Sequence, residues 1–177
     1  TNGFISFNPT TRIISVATNS VTGSYPITIS VLDSVGAVAT KVVTVNVNGV
    51  MSLAGDTALT TTAGVATETT AYAASGGTSP YTYSATGTNA AITFNAETQI
   101  VSVATTATAG TYPITITATD ANGATATRSL TVTVNSAIAV SGPTTLAVTA
   151  GSAKATTAYS ATNGTGSITY SATGTNA

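Results

Sequence analysis

The chain has no cysteine, no histidine and no tryptophan. Without cysteine there are no disulfides, no thiolate nucleophile and no thiolate metal site. Without histidine it lacks the side chain that most often works as an acid–base group at neutral pH and the commonest metal ligand. Charge is scarce too: Lys and Arg total 4 and Asp and Glu total 5 among 177 residues, or 5%, against about 25% in ordinary soluble domains. A net charge of -1 gives no field to capture nucleic acid or anionic lipid, so neither is expected as a partner. No apolar run approaches the roughly 18 residues of a spanning helix, and no membrane insertion is expected in this segment. The N-terminus shows no basic region followed by an apolar one.

What is present is threonine and alanine, 42 and 31 residues. Hydrophobic residues make up 42% and mean hydropathy is +0.35. Disorder goes with low hydrophobicity and high net charge, and neither holds here. Threonine is uncharged and β-branched, and it suits a pleated sheet with one wet face. Stability is expected from packed sheets alone, with no cofactor.

The sequence repeats. Thr1-Asn2-Gly3 returns as Thr88-Asn89-Ala90 and as Thr175-Asn176-Ala177, each offset by 87 residues (88 − 1 and 175 − 88). Residues 1–87 align on 88–174 without a gap, and about half the positions are identical. The most faithful blocks are Ser24–Ile29 with Thr111–Ile116, and Tyr83–Gly87 with Tyr170–Gly174. A gapless duplication of this kind marks a tandem array.

Alternation locates the strands. In Thr111–Asp120, Tyr112, Ile114, Ile116 and Ala118 face one way and Pro113, Thr115, Thr117 and Thr119 the other. A turn at Asp120-Ala121-Asn122-Gly123 leads into Ala124–Val134, where Leu130, Val132 and Val134 alternate with hydroxyls. Asn-Gly between two such runs is a hairpin signal, because both residues tolerate positive φ. Upstream, strands are expected at Gln99–Ala104, Ala91–Phe94, Pro80–Thr86 and Ala66–Ala74, with one or two edge segments in Met51–Thr62. About seven short strands per 87 residues, with no helix, predict an all-β chain of tandem immunoglobulin-like, Greek-key β-sandwich domains. The long strand pattern ends at Val134 and at its equivalent, Val47. The expected domains are therefore 49–135, complete; 1–48, the C-terminal half of one domain; and 136–177, the N-terminal half of another.

Ala109–Gly123 resembles the ending of bacterial and archaeal cadherin-like and immunoglobulin-like tandem repeats of surface proteins, and Ala74–Tyr83 fits the same group. The resemblance covers the whole repeat and implies the sandwich fold. Gly23-x-Tyr25 and Gly110-x-Tyr112 resemble the tyrosine corner, which implies that these phenols tie a loop to the penultimate strand. Cadherin-type relatives often hold calcium between domains with several carboxylates. Here only Asp33 and Asp120 recur among the five acids, Asp33, Asp56, Glu68, Glu97 and Asp120. A weak site would draw on Asp120, Asn122 and Asp33, but Val35 stands at the equivalent of Asn122, and calcium wants six to eight oxygens. Asp33 and Asp120 are read as turn formers that hydrogen-bond their own loops.

Catalysis has little to build on. Glu68 aligns with Ala155 and Glu97 with Thr10, so neither carboxylate belongs to the repeat, and the hydroxyls have no base to activate them. Lys41 aligns with Arg128 and Lys154 with Thr67, which argues against a repeated Lys–Asn crosslink. Asn163-Gly164-Thr165 is the one glycosylation tripeptide without proline, and it reads equally as a turn. The chain is read as no enzyme. Its apolar half-domain faces need cover: Phe7, Ile13, Ile27, Ile29, Val45 and Val47 on one side, Ile138, Val140, Leu146, Val148, Tyr159 and Tyr170 on the other. The expectation is a structural unit of an extracellular or cell-surface filament or adhesin stalk. Its partner is itself, copies joining head-to-tail, as one continuous polypeptide or by strand exchange, with lateral contacts between fibres. The alternative is a binding or spacer module, as in a phage fibre, a capsid decoration or a carbohydrate-binding accessory domain.

Overall fold

The computed structural model describes residues 3–174; Thr1-Asn2 and Thr175-Asn176-Ala177, the outer marks of the repeat, lie outside the described residues. Four strands come first: β1 (Ile5–Asn8), β2 (Ile13–Val16), β3 (Gly23–Leu32) and β4 (Val38–Val47). Nine follow: β5 (Ser52–Ala54), β6 (Ala58–Thr62), β7 (Thr67–Glu68), β8 (Ala73–Ser75), β9 (Thr82–Thr86), β10 (Ile92–Asn95), β11 (Ile100–Val103), β12 (Gly110–Thr119) and β13 (Thr125–Asn135). Last are β14 (Ala139–Ser141) and β15 (Ser160–Thr162). Every element is a strand, so among the described residues no helix is long and apolar enough to cross a membrane.

β5 to β13 build one sandwich. One sheet runs β6-β13-β12-β9; across from it lie β10-β11-β7 and the pair β5-β8. The nine segments trace seven strand paths, because β5 and β6 are one path that changes sheets and β7 and β8 are one path that breaks. The period-2 pattern decides what is buried. Ile114, Ile116 and Ala118 of β12 and Leu130, Val132 and Val134 of β13 point inward and meet Ile92, Val101 and Val103. Their neighbours Thr115, Thr117, Thr131 and Thr133 point out, where hydroxyls meet water.

The strand expected over Ala66–Ala74 is broken. Thr69 is buried and makes both of its bonds to one residue: its N–H donates to Val101 O, and its Oγ1 accepts from Val101 N at 3.0 Å. The path then leaves the sheet, and Tyr72 turns into the core at 2% exposure. Its ring lies against Gly55, where a β-carbon would overlap it. Its hydroxyl donates to Asp56 O at 2.9 Å. A phenol inserted here fills the gap where the first path changes sheets.

The two long hairpins share one register. Gly110 pairs with Val134 and Thr119 with Thr125; Gly23 pairs with Val47 and Leu32 with Val38. In the turn of the second, Gly123 takes φ +87°, its N–H donates to Asp120 O, and Asp120 N–H donates to Ala124 O. That closes the ladder on a left-handed glycine, as Asn-Gly predicts.

Ile116 is fully buried, so Ile116→Ala should cost about 2–5 kcal/mol in urea denaturation. Its equivalent Ile29 is only half-buried. Ile29→Ala in dispersed chain should cost less than half as much.

Candidate assembly surfaces

The flanks repeat the central sandwich in halves. β1–β2 keeps the register of β10–β11, and β3–β4 that of β12–β13. In the centre, three further pairings join residues 49–87 to residues 88–135: β7 on β11, β9 on β12 and β6 on β13. The N-terminal strands have no such neighbours among the described residues. On the C-terminal side, β14–β15 reproduces β5–β8, the pair that closes within its own half. The segments equivalent to β6, β7 and β9, residues 145–149, 154–155 and 169–173, form no strand. Strand formation therefore stops at each position whose pairing partner lies in the opposite half.

Burial follows the same division. Tyr72 is 2% exposed and its equivalent Tyr159 50%; Val103 is 1% exposed and Val16 46%. Val31, Val43, Val140, Leu146 and Tyr170 also stand in water, whereas Ala118 and Leu130 are buried at the equivalent positions of the first two. Local geometry is nevertheless preserved. Tyr159 lies on Gly142 as Tyr72 lies on Gly55, and its hydroxyl donates to Pro143 O at 2.8 Å.

The tyrosines singled out by Gly-x-Tyr behave alike. Tyr25 Oη donates to Val21 O at 2.9 Å and Tyr112 Oη to Thr108 O at 2.9 Å. Each phenol folds back over Gly23 or Gly110, two residues earlier. Phe4 meets Tyr25 edge to face, with ring centroids 5.1 Å apart.

Asp33 and Asp120 sit in equivalent hairpin loops of successive repeats. Asp33 Oδ1 accepts from Val35 N and Ala37 N, and Asp120 Oδ1 from Asn122 N and Ala124 N, all within 2.9 Å. Asp120 makes one more bond, from Thr78 N to Oδ2 at 2.8 Å, which joins two loops of the sandwich. Asp120 is buried, and these N–H groups, Thr78 first, hold its carboxyl below the ordinary aspartate value against the opposing effect of burial. Both oxygens are thus occupied by backbone donors, and Asn122 turns its amide to Thr78 Oγ1 at 2.9 Å. Among the described residues no three ligating side chains gather. Of the other acids, Asp56 Oδ2 accepts from Thr70 N, and Glu68 Oε1 from Ser102 Oγ on an exposed edge. Burial raises the Tyr72 phenol, with help from the charge of Asp56.

The hydrogen bonds that cross the junctions were not legible in the sequence. Asn48 Nδ2 donates to Thr78 Oγ1 at 2.8 Å, and Asn135 Nδ2 to Thr165 Oγ1 at 2.8 Å. Gly77 N donates to Gly49 O at 2.7 Å, and Gly164 N to Ser136 O at 3.0 Å. Thr165 Oγ1 also meets Thr62 Oγ1 at 2.7 Å. Asn48 and Asn135, Gly77 and Gly164, and Thr78 and Thr165 recur at the 87-residue offset, and that recurrence was the available signal. The two junctions lie at opposite ends of β13, since Thr125 is next to the Asp120 loop and Asn135 pairs with Thr62.

Asp120→Asn keeps the turn acceptor but puts a donor where Thr78 N–H points. It should lower the melting temperature by about 4–8 °C, the shift for roughly one lost hydrogen bond in a domain of this size. Because the folded carboxyl sits below the ordinary value of 3.8, the wild-type contribution is present above that pH and is lost as pH falls through the lower folded value. Melting curves of Asp120→Asn should lack that acid-side component.

Residues 50–135 match the family model described as "Putative Ig domain". No curated protein matches the chain. Among solved structures, mouse cadherin-23 EC22-24 is 19% identical, with 76% of this chain and 50% of that one covered and a TM-score of 0.42. The human desmocollin-1 ectodomain is 18% identical, with coverage of 76% and 32% and a TM-score of 0.36. A "putative alpha-galactosidase" of Bacteroides fragilis is 19% identical, with coverage of 46% and 17% and a TM-score of 0.38. The chain spans half or less of the length of each. Residues 50–135 thus match the Putative Ig domain model, and the fold is an immunoglobulin-like β-sandwich.

Proposed function

We propose that the chain is a structural repeat unit of an extracellular filament or long surface-adhesin stalk. In this reading residues 49–135 are a complete domain. Residues 136–177 of one copy and 1–48 of another combine into a second domain of the same kind. The carrying observation is where strand formation stops: each half forms every pairing that closes within itself and none that needs the other half. An apolar sheet face is stable only when covered, and the 87-residue repeat supplies each half with its complement. The partner in this reading is a like repeat, met either in another copy of this chain or along one continuous polypeptide. The resemblance to surface repeats supports an extracellular location. The carboxylates of Asp33, Asp56, Glu68 and Asp120 are spent on turns, loops and a sheet edge, which supports a structural role. Tyr81 and Tyr83, the aromatics a sugar-binding reading would need, are spent internally: Tyr81 Oη donates to Gly76 O, and Tyr83 Oη accepts from Ala74 N.

The central register gives a direct test. Thr117 pairs with Ser84, so Ser30 of one copy should pair with Ser171 of another. The chain has no cysteine, which makes an engineered pair unambiguous. Ser30→Cys with Ser171→Cys should give a ladder of crosslinked oligomers under mild oxidation. Ser30→Cys with Thr173→Cys, two residues out of register, should not. Monomer only from the in-register pair would sink this reading.

A further inference from the structure

We propose that each junction between successive domains is a hydrogen-bond clamp that fixes their orientation without a metal ion, and that a second copy completes one clamp through its Asp33. The proposal rests on the filament reading. Its hub is a threonine in the loop of the incoming domain, Thr78 at one junction and Thr165 at the other. Thr78 Oγ1 accepts from Asn48 Nδ2, at the end of the preceding repeat, and from Asn122 Nδ2 of its own domain. Its N–H donates to Asp120 Oδ2. One residue therefore ties the last strand of one repeat to two loops of the next. The Gly77 N to Gly49 O bond runs beside it and binds the same loop to the linker. Gly76 sits so close to Val50 O that a β-carbon there would overlap it, so the loop and linker are in direct contact.

The second junction shares its hub threonine, its asparagine and its glycine bond with the first. Thr165 Oγ1 accepts from Asn135 Nδ2 and meets Thr62 Oγ1, and Gly164 N donates to Ser136 O. Thr165 N–H has no acceptor among the described residues. Asp33, the equivalent of Asp120, uses Oδ1 for its own turn and leaves Oδ2 without a donor among the described residues. In the domain formed by two copies, the central sandwich places Thr165 N–H of one on Asp33 Oδ2 of the other. Val35 replaces Asn122 there, so that junction has one amide fewer. The two junctions alternate along the array, and the structural period is two domains.

Domains joined by short linkers move relative to one another unless the contact holds them. Multidentate cation binding at this end would have to displace the backbone donors on both Asp120 oxygens. The clamp thus predicts an order that is insensitive to calcium.

Assembled chain tests this by electron microscopy of filament straightness. Wild-type filaments should have the same persistence length in EDTA and in calcium chloride. Thr78→Val and Thr165→Val keep the side-chain shape and remove the hydroxyl; each should reduce persistence length several-fold. Asp33→Asn keeps the turn acceptor and removes the Oδ2 acceptor, and it should act likewise. The Ser30–Ser171 crosslink, made in every variant, reports whether copies still join. No crosslink in the wild-type background overturns the filament reading itself. A crosslink with straight filaments in all three variants, or with filaments that go limp in EDTA, overturns the clamp alone.

Discussion

A sheet with isoleucine and valine on one side and threonine on the other can be wetted on one side only. Burying the apolar side against a second sheet is the dominant favourable term in such a fold, about 1.5–3 kcal/mol for each large aliphatic side chain fully covered. The central residues meet this demand completely: Ile114, Ile116, Leu130, Val132, Ile92, Val101 and Val103 are almost wholly removed from water. The flanking residues carry the same alternation and leave it unmet. Everything else about the molecule, including its proposed assembly, follows from that difference between a covered face and an open one.

The paired halves also fit by volume. Relative to the central core, a domain built from two copies has Val31 for Ala118, Val43 for Leu130, Val140 for Leu53 and Ile14 for Val101. These four changes nearly offset, which is the kind of exchange cores tolerate best; Ser20 also stands for buried Ala107, and Phe4 for Ala91 at the edge of the core. Val148 stands in for Thr61, a close match in shape that removes a buried hydroxyl. Glu68 and Arg128 give way to Ala155 and Lys41, and both lie at the margin rather than in the core. At one end of the sandwich Asp120 and Thr78 tie loops together. With so few charges, backbone donors and neutral side chains do the work that carboxylates and cations do elsewhere.

Much of this was legible in the sequence. Strict alternation over Thr111–Thr119 and its partner run located the long hairpin within a residue, because a period of two has one meaning on a pleated sheet. Asn122-Gly123 located its turn. The offset of 87 related each flanking segment to its counterpart in the central one. The break in Ala66–Ala74 was not legible, since Thr69, Thr70 and Tyr72 are at home in a strand. Only three-dimensional packing shows that Thr69 spends its side chain on Val101 and that Tyr72 must fill the space over Gly55. The role of Thr78 was hidden for a similar reason. Threonine occurs 42 times, and nothing in the residue type separates the one that joins two repeats from those that face water. Asp120 reads from the sequence as a turn former, while its second bond, to a loop 42 residues earlier, has no local signature.

The central claim is that the flanks fold by combining into copies of the central sandwich. Cryo-electron microscopy of the assembled chain tests it most directly. β13 spans eleven residues, on the order of 35 Å at about 3.3 Å per residue. The account predicts a row of seven-strand beads, two per chain, with residues 145–149, 154–155 and 169–173 in strands against a neighbouring copy and an axial repeat of roughly 80 Å. A map showing one compact sandwich per chain, with residues 3–48 and 136–174 still open and apart, would contradict it.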